Sequence, residues 1–168
     1  MKVFGLVGRS GAGKTTLMVK LLAELRSRGL LVSTIKHAHH GFDLDRPGKD
    51  SFRHREAGAK EVMLVSDGRW ALMHEIADDD QPPLEDLINR MQPVDLVMIE
   101  GFHTHRHPAL EVYRPSEGRD LMWREGSDIV AIASDEPLAG PTVPIIDLAD
   151  ATGIADFVLA QASALREG

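Results

Sequence analysis

The chain has 168 residues and a formal net charge of -7, so it lacks the positive surface with which proteins coat nucleic acid or anionic membranes. It has no cysteine, which excludes disulfides and thiolate metal sites. No signal peptide is recognisable, and no apolar run approaches the roughly 20 residues of a membrane span. We therefore expect a cytoplasmic protein that forms a single domain over residues 1–168.

The first part of the chain has the pattern of a βαβ unit. Apolar residues 3–7 predict a buried parallel strand, and a glycine-rich turn follows. Residues 15–28 predict an amphipathic helix, because leucines recur every four residues and Gly29 provides a typical end. Apolar residues 30–35 predict the next strand, which completes the unit.

The middle of the chain predicts a short helix at 52–59 and then a β-hairpin. Two apolar runs at 62–65 and 70–73 flank Asp67-Gly68, a dipeptide typical of two-residue hairpin turns. A ribbon with exposed apolar residues favours pairing with a partner strand, so we expect the hairpin to contribute to a symmetric homodimer. The alternative is that it completes the sheet of the monomer.

The rest of the chain alternates helices with strands. Helices are predicted at 84–91 and 154–165, and strands at 94–99, 109–113, 129–133 and 143–146. This alternation predicts an α/β fold with a mainly parallel sheet, to which the hairpin adds an antiparallel extension.

Residues 8–15, GRSGAGKT, fit the phosphate-binding pattern G-x-x-x-x-G-K-[ST], with a strand before it and a helix after it. The glycines let backbone N–H groups face phosphate oxygens, and the helix adds its positive dipole end. Lys14 is expected to reach the β and γ phosphates, and Thr15 to ligate Mg²⁺. The candidate nucleotide-binding residues of this loop and helix start are Gly8, Ser10, Gly11, Ala12, Gly13, Lys14, Thr15 and Thr16.

The strand predicted at 94–99 leads into an acid and a glycine. In nucleotide hydrolases a carboxylate at the position of Glu100 holds Mg²⁺, usually through water, and a glycine such as Gly101 allows close approach to the γ phosphate. Lys14 and Glu100 are therefore the candidate catalytic residues. The alternative for Glu100 is a surface acid at the end of a strand.

The segment after the strand at 30–35 gathers histidines, aspartates and basic residues. Ligands of parallel sheets bind outside the carboxyl ends of the strands, so Lys36 and His37 are candidate cofactor-binding residues. Asp43 and Asp45 alternate and are candidates to support Mg²⁺ through water. The alternatives are histidines that pack the loop and a solvated acidic loop.

The segment also carries the motif K-H-x-H-H-x-F-D-x-D-x-P-G-K-D-S-x-R-x-R-x-A-G-A, from residue 36 to residue 59. Shorter motifs follow as RWALM at 69–73, IEGF at 99–102, AIASD at 131–135 and IADFV at 154–158. Through these motifs, which cover nearly the whole chain, the sequence resembles the molybdopterin-guanine dinucleotide biosynthesis protein B family. The resemblance implies a P-loop protein of the signal-recognition and metallochaperone GTPase class.

The resemblance also implies ligands and partners. It implies that the protein binds GTP and Mg²⁺, forms a homodimer and has weak GTPase activity. It further implies an adapter that works beside a guanylyltransferase which joins GMP to molybdopterin. The basic residues Lys49, Arg53 and Arg55 are candidates to bind an anionic pterin phosphate of molybdopterin or an acidic face of the partner, and the alternative is a solvated helix face. Asp135, just past the strand at 129–133, is the candidate that reads guanine, although the usual N-K-x-D is absent. The alternative for Asp135 is a turn or helix cap.

Two competing functions stay open at this point. His103, His105 and His107 alternate as H-x-H-x-H, a spacing that suits Zn²⁺ or Ni²⁺ on one strand face, where the family usually has a lysine at the first of these positions. This pattern favours a nickel-type metallochaperone GTPase as the alternative. A small-molecule kinase is the third hypothesis, for which Arg114 and two later arginines would have to serve as a lid.

Overall fold

A parallel sheet organises the larger part of the chain in the computed structural model, which describes residues 1–38, 44–76, 81–102, 107–124 and 128–165. The sheet has six strands in the order β2-β5-β1-β6-β7-β8. These strands are β1 (Lys2–Val7), β2 (Val32–Lys36), β5 (Leu96–Glu100), β6 (Ala109–Tyr113), β7 (Ile129–Ser134) and β8 (Ile145–Asp147). The helices are α1 (Lys14–Ser27), α2 (Asp50–Glu56), α3 (Leu84–Asn89) and α4 (Ala151–Gln161), with a 3₁₀ turn at Pro115–Glu117.

Side chains point alternately to the two faces along each buried strand, so both faces of this sheet carry apolar side chains. Helices cover both faces. Phe4 and Leu6 of β1 pack in one apolar cluster with the buried residues of α1 and α4. Val3 lies in a second cluster with Leu84 and Ile88 of α3. The predicted α/β class with a mainly parallel sheet is therefore confirmed.

Three strands begin later than the apolar pattern predicts. The ladder between β2 and β5 begins with the pair Val32 and Leu96, whereas the apolar runs begin at residues 30 and 94. Just before this pair, a side chain takes part in the hydrogen bonding: the Asp95 carboxylate accepts a hydrogen bond from the Leu31 N–H at 2.8 Å. β8 is likewise shifted toward the C-terminus relative to the run at 143–146.

The helix boundaries also differ from the predictions. α4 covers 151–161 rather than 154–165, because Asp150 caps it by accepting from the Gly153 N–H at 2.8 Å. It ends before Ser163, whose carbonyl accepts from the Val3 N–H at 2.8 Å, so the backbone there is extended. α2 covers 50–56 rather than 52–59, since Gly58 with φ of 95° lies past its end. α3 ends at residue 89 rather than 91.

The chain divides into two compact units, Met1–His37 with Leu84–Gly168, and Ala38–Pro83. The smaller unit holds α2 and an antiparallel hairpin of β3 (Glu61–Ser66) and β4 (Arg69–His74), closed by the predicted two-residue turn. The hairpin is a two-stranded sheet of its own, so it does not complete the six-stranded sheet. Two compact units can belong to one domain, so the single-domain prediction stays a prediction. Among the helices of the described residues, none has both the length and the apolar character to cross a membrane.

Candidate functional site

The glycine-rich loop of residues 8–15 connects β1 to α1 at the carboxyl end of an inner strand of the sheet. Gly8, Gly11 and Gly13 have φ of 143°, 89° and 97°, conformations that L side chains rarely adopt. Gly13 caps α1, whose first residue is Lys14. The loop therefore has the strand, the turn and the helix start that its sequence motif requires.

Lys14 folds back into this loop. Its ammonium donates to the carbonyl oxygens of Gly8 at 2.8 Å and Arg9 at 3.0 Å. Burial lowers the pKa of Lys14, while nearby Glu100 counteracts that effect and Lys36 adds to it. The Lys14 ammonium therefore lies within the loop, where phosphate oxygens can replace the two carbonyl oxygens as its acceptors.

Glu100 is the last residue of β5 and lies next to the loop. It lies between Leu6 of β1 and Lys36 of β2 in the parallel register, and it is 7% exposed. Its Oε1 accepts from the Thr15 hydroxyl at 2.9 Å and lies 3.5 Å from the Lys36 ammonium. A hydroxyl and a carboxylate at this distance form an oxygen pair of the kind that Mg²⁺ prefers.

His37 and Gly101 follow β2 and β5 and contact each other. The His37 N–H donates to the Glu100 carbonyl at 2.8 Å, and its ring centroid lies 4.7 Å from that of Phe102. Gly101 has φ of 95°, and a methyl group on it would lie 3.2 Å from the His37 carbonyl oxygen. The packing alternative for His37 is thus realised in its contact with Phe102, and its binding role stays a prediction.

The opposite side of the loop is lined by the segment that follows β6. A methyl group on Gly13 would lie 3.5 Å from Nε of Arg114, and one on Gly11 would lie 3.5 Å from Oε2 of Glu117. Arg114 also forms an ion pair with Asp135, which follows β7. Sequence reasoning considered Arg114 only as a lid arginine and missed Glu117. The pairing of β6 with β1 is what brings Arg114 and Glu117 to the loop, and no local motif encodes this pairing.

Within the smaller unit, Asp45 is an internal anchor of the chain. Its Oδ1 accepts from the Ser51 hydroxyl and the Arg46 N–H, both at 2.9 Å, and its Oδ2 lies 3.7 Å from Nε of Arg55. Arg55 also pairs with Glu75 at 2.9 Å, so it is tied down within the predicted basic patch. A role of Asp45 in metal binding stays a prediction.

Three predicted ligands lie outside the described residues, namely Asp43, His103 and His105. His107 is described and is buried against β1, where a methyl group on Gly5 would lie 2.6 Å from its Nε2. Among the residues that the structure describes, no group of three or more acidic or histidine side chains is arranged to hold a metal ion.

These features define an α/β protein with a mainly parallel six-stranded sheet, a glycine-rich loop at the end of an inner strand and a separate antiparallel hairpin. The chain belongs to the MobB family, because the family model described as molybdopterin guanine dinucleotide synthesis protein B matches residues 3–135.

Individual relatives agree with this assignment. The molybdopterin-guanine dinucleotide biosynthesis adapter protein of Escherichia coli K12 is 40% identical over 153 residues, which cover 89% of this chain and 87% of that protein. The protein of the same name from Haemophilus influenzae is 36% identical over 159 residues, covering 93% and 86%. The crystal structure of a MobB homolog from Bacillus stearothermophilus superposes with a TM-score of 0.68 at 28% identity, covering 94% of this chain and 95% of that chain. The predicted family is confirmed, and these comparisons give the nickel-metallochaperone alternative no support.

Proposed function

We propose that the chain is a GTP-binding adapter protein in molybdopterin-guanine dinucleotide biosynthesis. In this proposal it works beside the guanylyltransferase that joins GMP to molybdopterin, in the cytoplasm, where GTP is available. Membership of the MobB family and the adapter name of its relatives support the biosynthetic role. The observation that carries the nucleotide role is the Thr15–Glu100 hydrogen bond beside the half-buried Lys14 ammonium.

The nucleotide is proposed to bind with its phosphates in the glycine-rich loop. Backbone N–H groups and the start of α1 attract the phosphates, and Lys14 exchanges its two carbonyl contacts for phosphate oxygens. Thr15 and Glu100 would hold Mg²⁺, and the bound ion would neutralise part of the phosphate charge. Lys36, 3.5 Å from the same carboxylate oxygen, adds a cation on the side of the γ phosphate.

Slow hydrolysis is part of this proposal. Rapid GTPases use a glutamine to orient the attacking water near the glycine that follows the metal-binding acid strand. The sequence has no glutamine between Gly101 and Tyr113. GTP is therefore proposed to persist on the protein, which suits an adapter better than a fast hydrolase.

A nucleotide titration tests the loop assignment. We expect the wild-type protein to bind GTP in the presence of Mg²⁺ and Lys14→Ala to lose this binding, because the ammonium that faces the phosphates is removed. Lys20→Ala, which changes an exposed lysine of the same helix, is the matched control and should keep the affinity. Unchanged affinity in Lys14→Ala would overturn the assignment.

A reconstitution tests the adapter role. The guanylyltransferase, molybdenum-loaded molybdopterin, Mg²⁺ and limiting GTP are combined, and dinucleotide formation is followed with and without the protein. We expect a stimulation that Lys14→Ala abolishes. Absence of stimulation at every GTP concentration would contradict the adapter role.

The hairpin is proposed to join two copies in a homodimer. Met63, Val65 and Trp70 are 57%, 73% and 60% exposed, and a two-stranded sheet leaves unpaired backbone groups at both edges. Light scattering should give a dimer mass for the wild type and a monomer mass for Val65→Asp. Val19→Asp, at a position that is 63% exposed on α1, should stay dimeric. A monomeric wild type would refute this part of the proposal.

A further inference from the structure

Arg114 links two parts of the proposed nucleotide site that are far apart in sequence. Its Nη1 donates to Oδ2 of Asp135, at the end of β7. Its other edge faces the glycine-rich loop, because a methyl group on Gly13 would lie 3.5 Å from Nε and 3.8 Å from Nη2. The Arg114 side chain is 38% exposed, so a ligand can reach it from solvent.

The sheet order fixes the direction in which a nucleotide crosses this region. Glu100 and Lys36, on the γ-phosphate side, belong to β5 and β2, which lie on one side of β1. β6 and β7 lie on the other side of β1. A nucleotide whose terminal phosphates lie near Glu100 therefore extends its nucleoside past Gly13 toward the ends of β6 and β7.

Arg114 is the donor that this path meets first. The guanidinium has five N–H donors in a planar fork, and the contact with Asp135 uses the Nη1 end. The Nε and Nη2 donors on the loop side are suited to two oxygens of one phosphate. The same segment places the Glu117 carboxylate near Gly11, so the attraction of this segment for phosphate comes from Arg114.

We propose, on the basis of the nucleotide-binding function proposed above, that Arg114 binds the α phosphate and that Asp135 is its positioning residue. The ion pair holds the guanidinium over Gly13 before the nucleotide arrives, and Arg114 keeps its positive charge and its Nε and Nη2 donors for the phosphate. One contact to Arg114 leaves the Asp135 carboxylate with further acceptor sites, so it remains available to a base.

Calorimetric titrations of GDP and GTP test the contact. Arg114→Gln should weaken both nucleotides by the same factor, about tenfold or more, because the α phosphate is common to both and a charge-assisted hydrogen bond is lost. Arg119→Gln, an exposed arginine five residues later, is the matched control and should change neither affinity. Arg114→Lys, which keeps the charge without the fork, should recover part of the loss and serves if the glutamine variant does not fold.

A double-mutant cycle tests the positioning role of Asp135. Asp135→Asn should weaken GDP binding in the wild-type background by a larger factor than in the Arg114→Gln background, because part of its effect passes through the guanidinium. Equal factors in both backgrounds would overturn the positioning role. Unchanged GDP affinity in Arg114→Gln, or a loss confined to GTP, would overturn the α-phosphate contact. A wild-type protein that binds neither nucleotide would instead overturn the proposed function itself, and the inference with it.

Discussion

Replacing Glu100 by glutamine separates the proposed metal role of this carboxylate from its role in the fold. The Lys36 ammonium lies 3.5 Å from Glu100, and its side chain is 61% exposed. Two unit charges at this distance interact by about 1 kcal/mol in bulk water and by about 5 kcal/mol at an effective dielectric constant near 20. Glu100 is buried, but solvent screens the pair from the exposed Lys36 side, so the figure near the lower end applies. We therefore expect the free energy of unfolding to fall by about 1 kcal/mol.

The nucleotide affinity should respond much more strongly, and only when metal is present. The glutamine amide oxygen still accepts from Thr15, but it no longer offers a charged ligand to Mg²⁺. GTP affinity with Mg²⁺ should therefore fall by about 10- to 100-fold. With EDTA it should not fall, because the variant has lost a negative charge near the phosphates.

Isothermal titration of GTP with Mg²⁺ and with EDTA measures this difference directly. Glu117→Gln is the matched control, since it removes the same charge from the opposite side of the loop without touching Thr15. It should leave the dependence on Mg²⁺ unchanged. Equal losses for Glu100→Gln in the two buffers would refute the assignment of Glu100 to the metal.

Three further predictions concern stability and are measured by urea or thermal unfolding. Gly101→Ala should cost about 1–3 kcal/mol, because the φ of 95° strains an L residue and the methyl would lie 3.2 Å from a carbonyl oxygen; unchanged stability would contradict this backbone. Gly5→Ala should cost about 1–3 kcal/mol by overpacking His107, and this cost should shrink in a His107→Ala background; equal costs in both would contradict the contact. Asp150→Ala should lower the melting temperature by about 2–4 °C through loss of the α4 cap. An unchanged melting temperature would contradict the assignment of Asp150 as this cap.

The fold class was predictable because each element has a local signal. The apolar run of β1, the glycine-rich loop and the leucines of α1 each satisfy the period or turn chemistry of one element. The Asp67-Gly68 turn likewise fixed the register of the hairpin. The ends of elements were less predictable, because they depend on partners distant in sequence, such as Asp95 for β5 and Ser163 for the end of α4.

The site divides in the same way. The sequence by itself determined the loop of residues 8–15 and pointed to Glu100 and Asp135, since each lies in a motif or directly after an apolar strand. Only the tertiary structure decided which charges meet, because the strand order brings β6 beside β1 and places Arg114 between Gly13 and Asp135. Contacts of this kind depend on the register of strands far apart in the chain, and no local period or propensity encodes that register.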